Sequence, residues 1–193
     1  MPPSAAHRMF VAVVPPAEVL THLDAALATH RSQPGTPRWT PAEHWHLTLA
    51  FLPAVPAERV DELVERLGRA ASRGTALTAT VVGVGAFPRP TYARVLWAGV
   101  QVDGDGLRRL ASAARAAARR TGVEVAEGPF TPHLTVARLP RAGDATLWLQ
   151  ALDGYRGPTW TVDEIRLVAS RLGQGDAGRP RYETVAALPL QPG

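Results

Sequence analysis

The sequence predicts an α+β fold of two similar lobes related by a pseudo-twofold axis, with antiparallel sheets flanked by helices and a central groove. Three observations predict it. An eight-residue pattern, His46-Leu47-Thr48-Leu49-Ala50-Phe51-Leu52-Pro53, returns as His133-Leu134-Thr135-Val136-Ala137-Arg138-Leu139-Pro140, with six identities in eight positions at a separation of 87 residues. Segments of strand and helix period follow one another irregularly and include a hairpin, which favours antiparallel sheets over a doubly wound parallel one. No low-complexity linker separates the halves, so residues 1–193 are expected to form a single bilobal domain, with the repeated strands facing one another across the groove.

The apolar run at 9–14 (MFVAVV) reads as a buried strand, and Pro15-Pro16 open a helix whose inward face is Val19, Leu20, Leu23 and Leu27. After the loop at 33–37, residues 38–40 form a short extended piece and 44–52 a strand. Residues 56–73 make a second helix, with Val60, Leu63, Val64 and Leu67 inward and Glu and Arg outward. Strands at 76–87 and 93–102 are joined by the turn Pro88-Arg89-Pro90-Thr91. Asp103-Gly104-Asp105-Gly106 leads into an Ala/Arg helix ending near Gly122, with Leu107, Leu110 and Ala114 as its inner stripe. A strand at 130–139, a short helix at 144–152 and closing strands at 160–170 and 182–190 complete the chain.

Composition removes several chemistries. The 46% hydrophobic and 20% charged content is that of a soluble globular protein, and Pro15-Pro16 stop the first apolar run short of a membrane span or secretory core, so a cytoplasmic location is expected. With no cysteine there are no disulfides, thiolate zinc sites or cysteine nucleophiles. All 21 basic residues are arginine, which excludes a Walker-type phosphate lysine, a Schiff base and a lysine-adenylate intermediate. A net charge of +4 carried by arginine suits an anionic partner, although GC-rich coding or surface solubility explains the same bias. Gly83-Val84-Gly85 begins like a dinucleotide fingerprint but lacks the third glycine and the helix. Arg108, Arg115 and Arg119 share a helix stripe that reads as a solvated face, and loop 173–180 reads as a flexible connection that could overlie the groove.

The repeat carries the chemistry. On a strand, residues i and i+2 share a face, so His46 sits with Thr48, and His133 with Thr135, while the leucines and valine between them turn to the core. Two such pairs supply what phosphodiester cleavage needs: a neutral histidine to take a proton from water, a protonated one to give a proton to the leaving oxygen, and donors for the phosphate oxygens. With an unperturbed pKa of about 6.5, either state is accessible near neutrality. No cofactor and no metal are expected, because no cysteine, His-x-x-x-His or carboxylate spacing accompanies either copy; zinc at His44 and His46, the one close histidine pair, is the alternative.

With these residues the sequence resembles the 2H phosphoesterase superfamily, and most closely its RNA 2',3'-cyclic phosphodiesterase branch, also called 2'-5' RNA ligases. The stretch 8–13 is similar to that family's opening strand, 38–52 to its first motif, 132–138 to its second, and Ser170-Arg171-Leu172 with Arg181-Tyr182 to its closing hairpin. The resemblance implies a 2H phosphoesterase fold, a monomer away from membranes, and metal-independent hydrolysis of a 2',3'-cyclic phosphate at the end of an RNA or oligonucleotide to a 2'-phosphate, with weak reverse 2'-5' ligation. It implies His46 as the acid that protonates the 3' oxygen, His133 as the base that activates water, Thr48 and Thr135 on the non-bridging oxygens, Arg138 at the phosphate and Phe51 near the base. Strict alternation from His133 puts Arg138 on the opposite face, so it reaches the groove only if the strand ends or bulges before it. Trp39 and Trp45 are further candidates for stacking on a base. A related enzyme for small cyclic nucleotides, or a nucleotide- or RNA-binding module without turnover, are the competing functions; only an enzyme for longer RNA should weaken steeply with salt.

Overall fold

Two central strands, one from each copy of the repeat, organise the fold. The computed structural model describes residues 6–31, 37–175 and 178–193. The expected loop at 33–37 therefore lies, apart from Pro37, outside the described residues, as do Asp176 and Ala177 of loop 173–180. In chain order the elements are β1 (Ala6–Val13), α1 (Ala17–Ala28), β2 (Arg38–Trp39), β3 (Leu47–Pro56), α2 (Val60–Ala71), β4 (Leu77–Arg89), β5 (Tyr92–Val102), α3 (Gly106–Arg119), β6 (His133–Gly143), α4 (Thr146–Ala151), β7 (Arg156–Val162), β8 (Glu164–Arg171) and β9 (Arg181–Pro189). The main path of the sheet runs β7-β4-β5-β6-β3-β1-β8-β9, with β2 added on β6, and every pairing of these strands is antiparallel.

The midpoint of that order falls between β6 and β3, with four strands on either side. The repeated strands are therefore neighbours at the centre of one sheet rather than strands facing across a gap, and they meet at the pair Leu47–Leu134. Both leucines are fully buried. Burying each contributes about 1.5–3 kcal/mol and holds the two halves in register. The helices cover the sheet with the stripes expected of them: Val19, Leu23 and Leu27 from α1, Leu63 and Leu67 from α2, and Leu107, Leu110 and Ala114 from α3 are buried. Leu20, Val60 and Val64 are half-buried, packed against the margin of the core.

Several elements differ from the sequence reading: the strand expected at 130–139 is His133–Gly143, the helix expected at 56–73 is an α-helix over Val60–Ala71, the expected turn at 88–91 is strand as far as Arg89, and two further differences bear on the site. The strand expected at 160–170 is two strands broken at Asp163: β7 pairs with β4 in one half and β8 with β1 in the other. The burial phase slips there, from Trp160 and Val162 to Ile165 and Leu167, and the Asp163 carbonyl accepts a hydrogen bond from Leu190 N at 2.7 Å. The strand expected from His44 begins only at Leu47, because Ala42–His44 forms a 3-10 turn after Pro41. His44 and His46 thus have no strand alternation to place them on one face.

Candidate active site

Both copies of the repeat carry the same irregularity. In the β1–β3 ladder the partners pass from Val11–Ala50 to Ala12–Thr48, leaving Leu49 unmatched; in the β5–β6 ladder they pass from Leu96–Ala137 to Trp97–Thr135, leaving Val136 unmatched. Leu49 and Val136 occupy the same position of the repeat. At each bulge two consecutive residues point inward, Leu49 with Ala50 and Val136 with Ala137, and all four are buried. The slip of one residue returns Phe51 and Arg138 to the face of the histidines and threonines, meeting the condition that strict alternation set. The carbonyl of each unmatched residue is satisfied separately: Thr40 N donates to Val136 O at 2.9 Å, and Arg115 Nε to Leu49 O at 3.3 Å.

The groove is lined by His46, Thr48, Phe51, His133, Thr135 and Arg138, the six residues singled out from the sequence. His46 and His133 each adjoin the single Leu47–Leu134 pair that joins β3 to β6, and both line one groove with Thr48 and Thr135. Each ring is held in the same way. His46 Nδ1 lies 2.8 Å from His44 O, and His133 Nδ1 lies 2.7 Å from Thr131 O. A carbonyl only accepts, so Nδ1 of each ring carries a proton and donates it, and Nε2 is the atom that titrates.

Aromatic walls complete both pockets. Phe10 stacks on His46 with centroids 4.4 Å apart and Tyr182 meets it edge-on at 5.3 Å. Phe87 meets His133 edge-on at 5.0 Å, with Trp97 behind at 6.0 Å. Trp97 lies across Gly85 so closely that a Cβ there would sit 2.1 Å from its ring, which is the role of the second glycine in Gly83-Val84-Gly85. Burial lowers His46 to about 4 against the pull of the His44 carbonyl, and the charges of His133, His44 and Arg138 lower it further. His133 is also lowered, by burial first, against the Thr131 carbonyl and with a contribution from Arg138. Burial raises the Tyr182 phenol, opposed by Arg138 and Arg8.

Arg8, Phe10, Thr40, His44, Ser170 and Tyr182 also line the groove; the sequence reading assigns none of them to the substrate, naming His44 only for the alternative zinc pair and Ser170 and Tyr182 only in the closing hairpin. Arg8 and Phe10 share the period-2 face of β1, a signal present in the sequence. Ser170 and Tyr182 are cross-strand partners in β8–β9 and reach the site only through the strand order. Trp45 is 1% exposed with its Nε1 donating to Thr40 O at 3.0 Å, so it is core and no platform for a base. Trp39 is half-buried against Trp148. Arg115 holds Leu49 and Gly128 carbonyls and Arg119 pairs with Glu127, so the α3 stripe is partly structural.

Two imidazoles with fixed tautomers, each with a threonine two residues on and with an arginine beside them, define a two-histidine phosphoesterase. The chain belongs to the 2'-5' RNA ligase superfamily, whose family model matches residues 29–174. It is 34% identical over 179 residues to the Escherichia coli RNA 2',3'-cyclic phosphodiesterase, which covers 93% of this chain and 94% of that one. It is 31% identical over 154 residues to the protein of that name from Geobacillus stearothermophilus, matching 79% of this chain but 47% of the relative. The fold matches the apo crystal structure of Escherichia coli LigT with a TM-score of 0.78 at 31% identity, over 97% of this chain and 99% of that one. LigT has also been crystallised with 3'-AMP.

Proposed function

We propose that this chain hydrolyses the 2',3'-cyclic phosphate at an RNA end to a 2'-phosphomonoester, by acid–base catalysis between His46 and His133 and without a metal. The observation that carries this is the matched pair of imidazoles, each with Nδ1 bound by the carbonyl two residues upstream and each beside a repeated threonine. Water attacks phosphorus as His133 Nε2 takes its proton; the P–O3' bond breaks as His46 Nε2–H protonates the leaving oxygen. The Thr48 and Thr135 hydroxyls donate to the non-bridging oxygens, and the Arg138 guanidinium balances their charge. Phe51 offers its ring to the base on the face that Arg8, 4.3 Å from the ring centroid, leaves open. Removing either threonine hydroxyl, in Thr48→Ala or Thr135→Ala, is expected to cost about 2 to 4 kcal/mol in kcat/KM. With a 5'-hydroxyl in place of water as the nucleophile, the same groups break the same P–O3' bond and support slow 2'-5' ligation.

Metal independence is supported by the lining: among the described residues no carboxylate faces the groove, whereas Arg8 and Arg138 do, a set suited to an anion and unsuited to a dication. The chain is taken to act as a monomeric, single bilobal domain in the cytoplasm; a strand order that passes from one half to the other supports one domain. No helix of the described residues is long and apolar enough to cross a membrane. The test is hydrolysis of an RNA oligonucleotide ending in 2',3'-cyclic phosphate, in EDTA, with 2'- and 3'-phosphate products resolved. A 2'-phosphate product is expected, and activity abolished by EDTA would contradict the reading.

A second reading exchanges the two histidines, and the deeper burial that lowers His46 to about 4 favours it, since that ring stands unprotonated near neutrality, as the base must, though it is the weaker base for it. A substrate with sulfur in the 3' bridging position, whose thiolate leaves without an acid, separates the two. It restores His46→Ala if His46 is the acid and His133→Ala if the roles are exchanged.

A further inference from the structure

Beside the catalytic groove lies a second recess of about 410 Å³, which shares Arg8, Thr40, His44, Arg138, Ser170 and Tyr182 with it and adds Arg38 and Arg179. Arg38 and Arg138 are direct cross-strand partners in the β2–β6 ladder, and both are exposed. Residues opposite one another on antiparallel strands present their side chains to the same face, where like charges repel and destabilise the pair. Nothing among the described residues relieves that repulsion: no carboxylate lines the groove or the recess, and the ion pairs of the protein use other arginines. Two planar guanidinium forks held side by side, with Arg179 at the same recess, make a receptor for the oxygens of one more phosphate.

We propose that Arg38, with Arg138 and Arg179, forms a second phosphate subsite that takes the phosphodiester on the 5' side of the terminal nucleotide. The proposal rests on the cyclic-phosphate reading above and narrows it. The recess is continuous with the groove, so both anions belong to one ligand. When the cyclic phosphate is the 3' end of a strand, the next backbone phosphate lies across one nucleoside on the 5' side. Arg38 lines the recess and not the groove, so it selects a strand over a nucleoside cyclic phosphate without taking part in the chemistry.

The test compares adenosine 2',3'-cyclic phosphate, its 5'-phosphorylated form and a dinucleotide ending in the cyclic phosphate, on the native chain and Arg38→Ala. One charge-assisted contact corresponds to about tenfold or more. The native chain should favour the two substrates with a second phosphate by that factor in kcat/KM. Arg38→Ala should erase the advantage while leaving adenosine 2',3'-cyclic phosphate unchanged. Equal loss on all three, or no advantage in the native chain, overturns the subsite. A gain confined to the free 5'-phosphate overturns the strand diester in favour of a mononucleotide. Calorimetry with adenosine 3',5'-bisphosphate and 3'-AMP reads the recess without turnover. If the bisphosphate binds about tenfold tighter to the native chain and no tighter to Arg38→Ala, the subsite stands even where all three cyclic substrates are inert and the cyclic-phosphate reading fails. Equal affinities overturn it. Arg38 is exposed and faces a like charge, so its removal should leave the thermal midpoint unchanged or raised.

Discussion

Each imidazole of the proposed acid–base pair is set by one short hydrogen bond and one aromatic wall, and its titration follows from its surroundings. Burial and neighbouring charge hold His46 near 4 and bring His133 below its ordinary value, so the singly protonated free enzyme is most populated on the acid side of 6.5. The kcat/KM profile should be a bell centred below pH 6.5, and the kcat profile should lie at higher pH, because a bound phosphate anion favours the imidazolium. A kcat/KM maximum above pH 8 would contradict this assignment. The same shift acts on stability. Between about 4 and 6.5 the unfolded chain binds the His46 proton that the folded chain refuses. That contribution is fully present above 6.5 and is lost as pH falls toward 4, at about 1.4 kcal/mol per unit. His46→Gln should therefore lose less stability than the native chain between pH 7 and pH 5, measured by urea unfolding, and identical losses would refute it. His46, Thr48, His133 and Thr135 were legible because the repeat isolates them. Ser170 and Tyr182 were not legible as groove residues, since their places depend on which strands become neighbours.

At the scale of the element, the two bulges decide what the strands present. An unmatched residue at Leu49 and at Val136 brings Phe51 and Arg138 round to the histidines, and a plain alternating strand would bury them. The sequence signals this weakly, as the paired inward residues Leu49-Ala50 and Val136-Ala137, which a period-2 reading counts as noise. The break at Asp163 was likewise written in the phase change from Trp160 and Val162 to Ile165 and Leu167, yet the β-branched and apolar residues on both sides of Asp163-Glu164 masked it. Gly85 is the element-scale test. Gly85→Ala forces a methyl into the Trp97 ring and displaces the wall behind His133. It should lower stability by about 1–3 kcal/mol and perturb the near-ultraviolet circular dichroism of tryptophan; an unchanged melting curve would contradict the packing described.

Across the whole molecule the repeat foretold the pseudo-twofold, and the irregular order of elements foretold the antiparallel α+β architecture. What it left open was that β3 and β6 are neighbours, because that single pairing at Leu47 and Leu134 depends on the bulk of both halves closing around it. Leu134→Ala should cost about 2–5 kcal/mol of unfolding free energy, since the residue is fully buried where the halves join. A loss below about 1 kcal/mol would mean that the junction is not under the packing load assigned to it. The central claim concerns the two rings that this junction brings together. It is tested most directly by comparing hydrolysis of an oligonucleotide 2',3'-cyclic phosphate by the native chain, His46→Ala and His133→Ala, with folding checked by circular dichroism. The account predicts a loss on the order of a thousandfold in kcat for each folded variant. A folded variant within tenfold of the native rate would show that its histidine is not part of the acid–base pair.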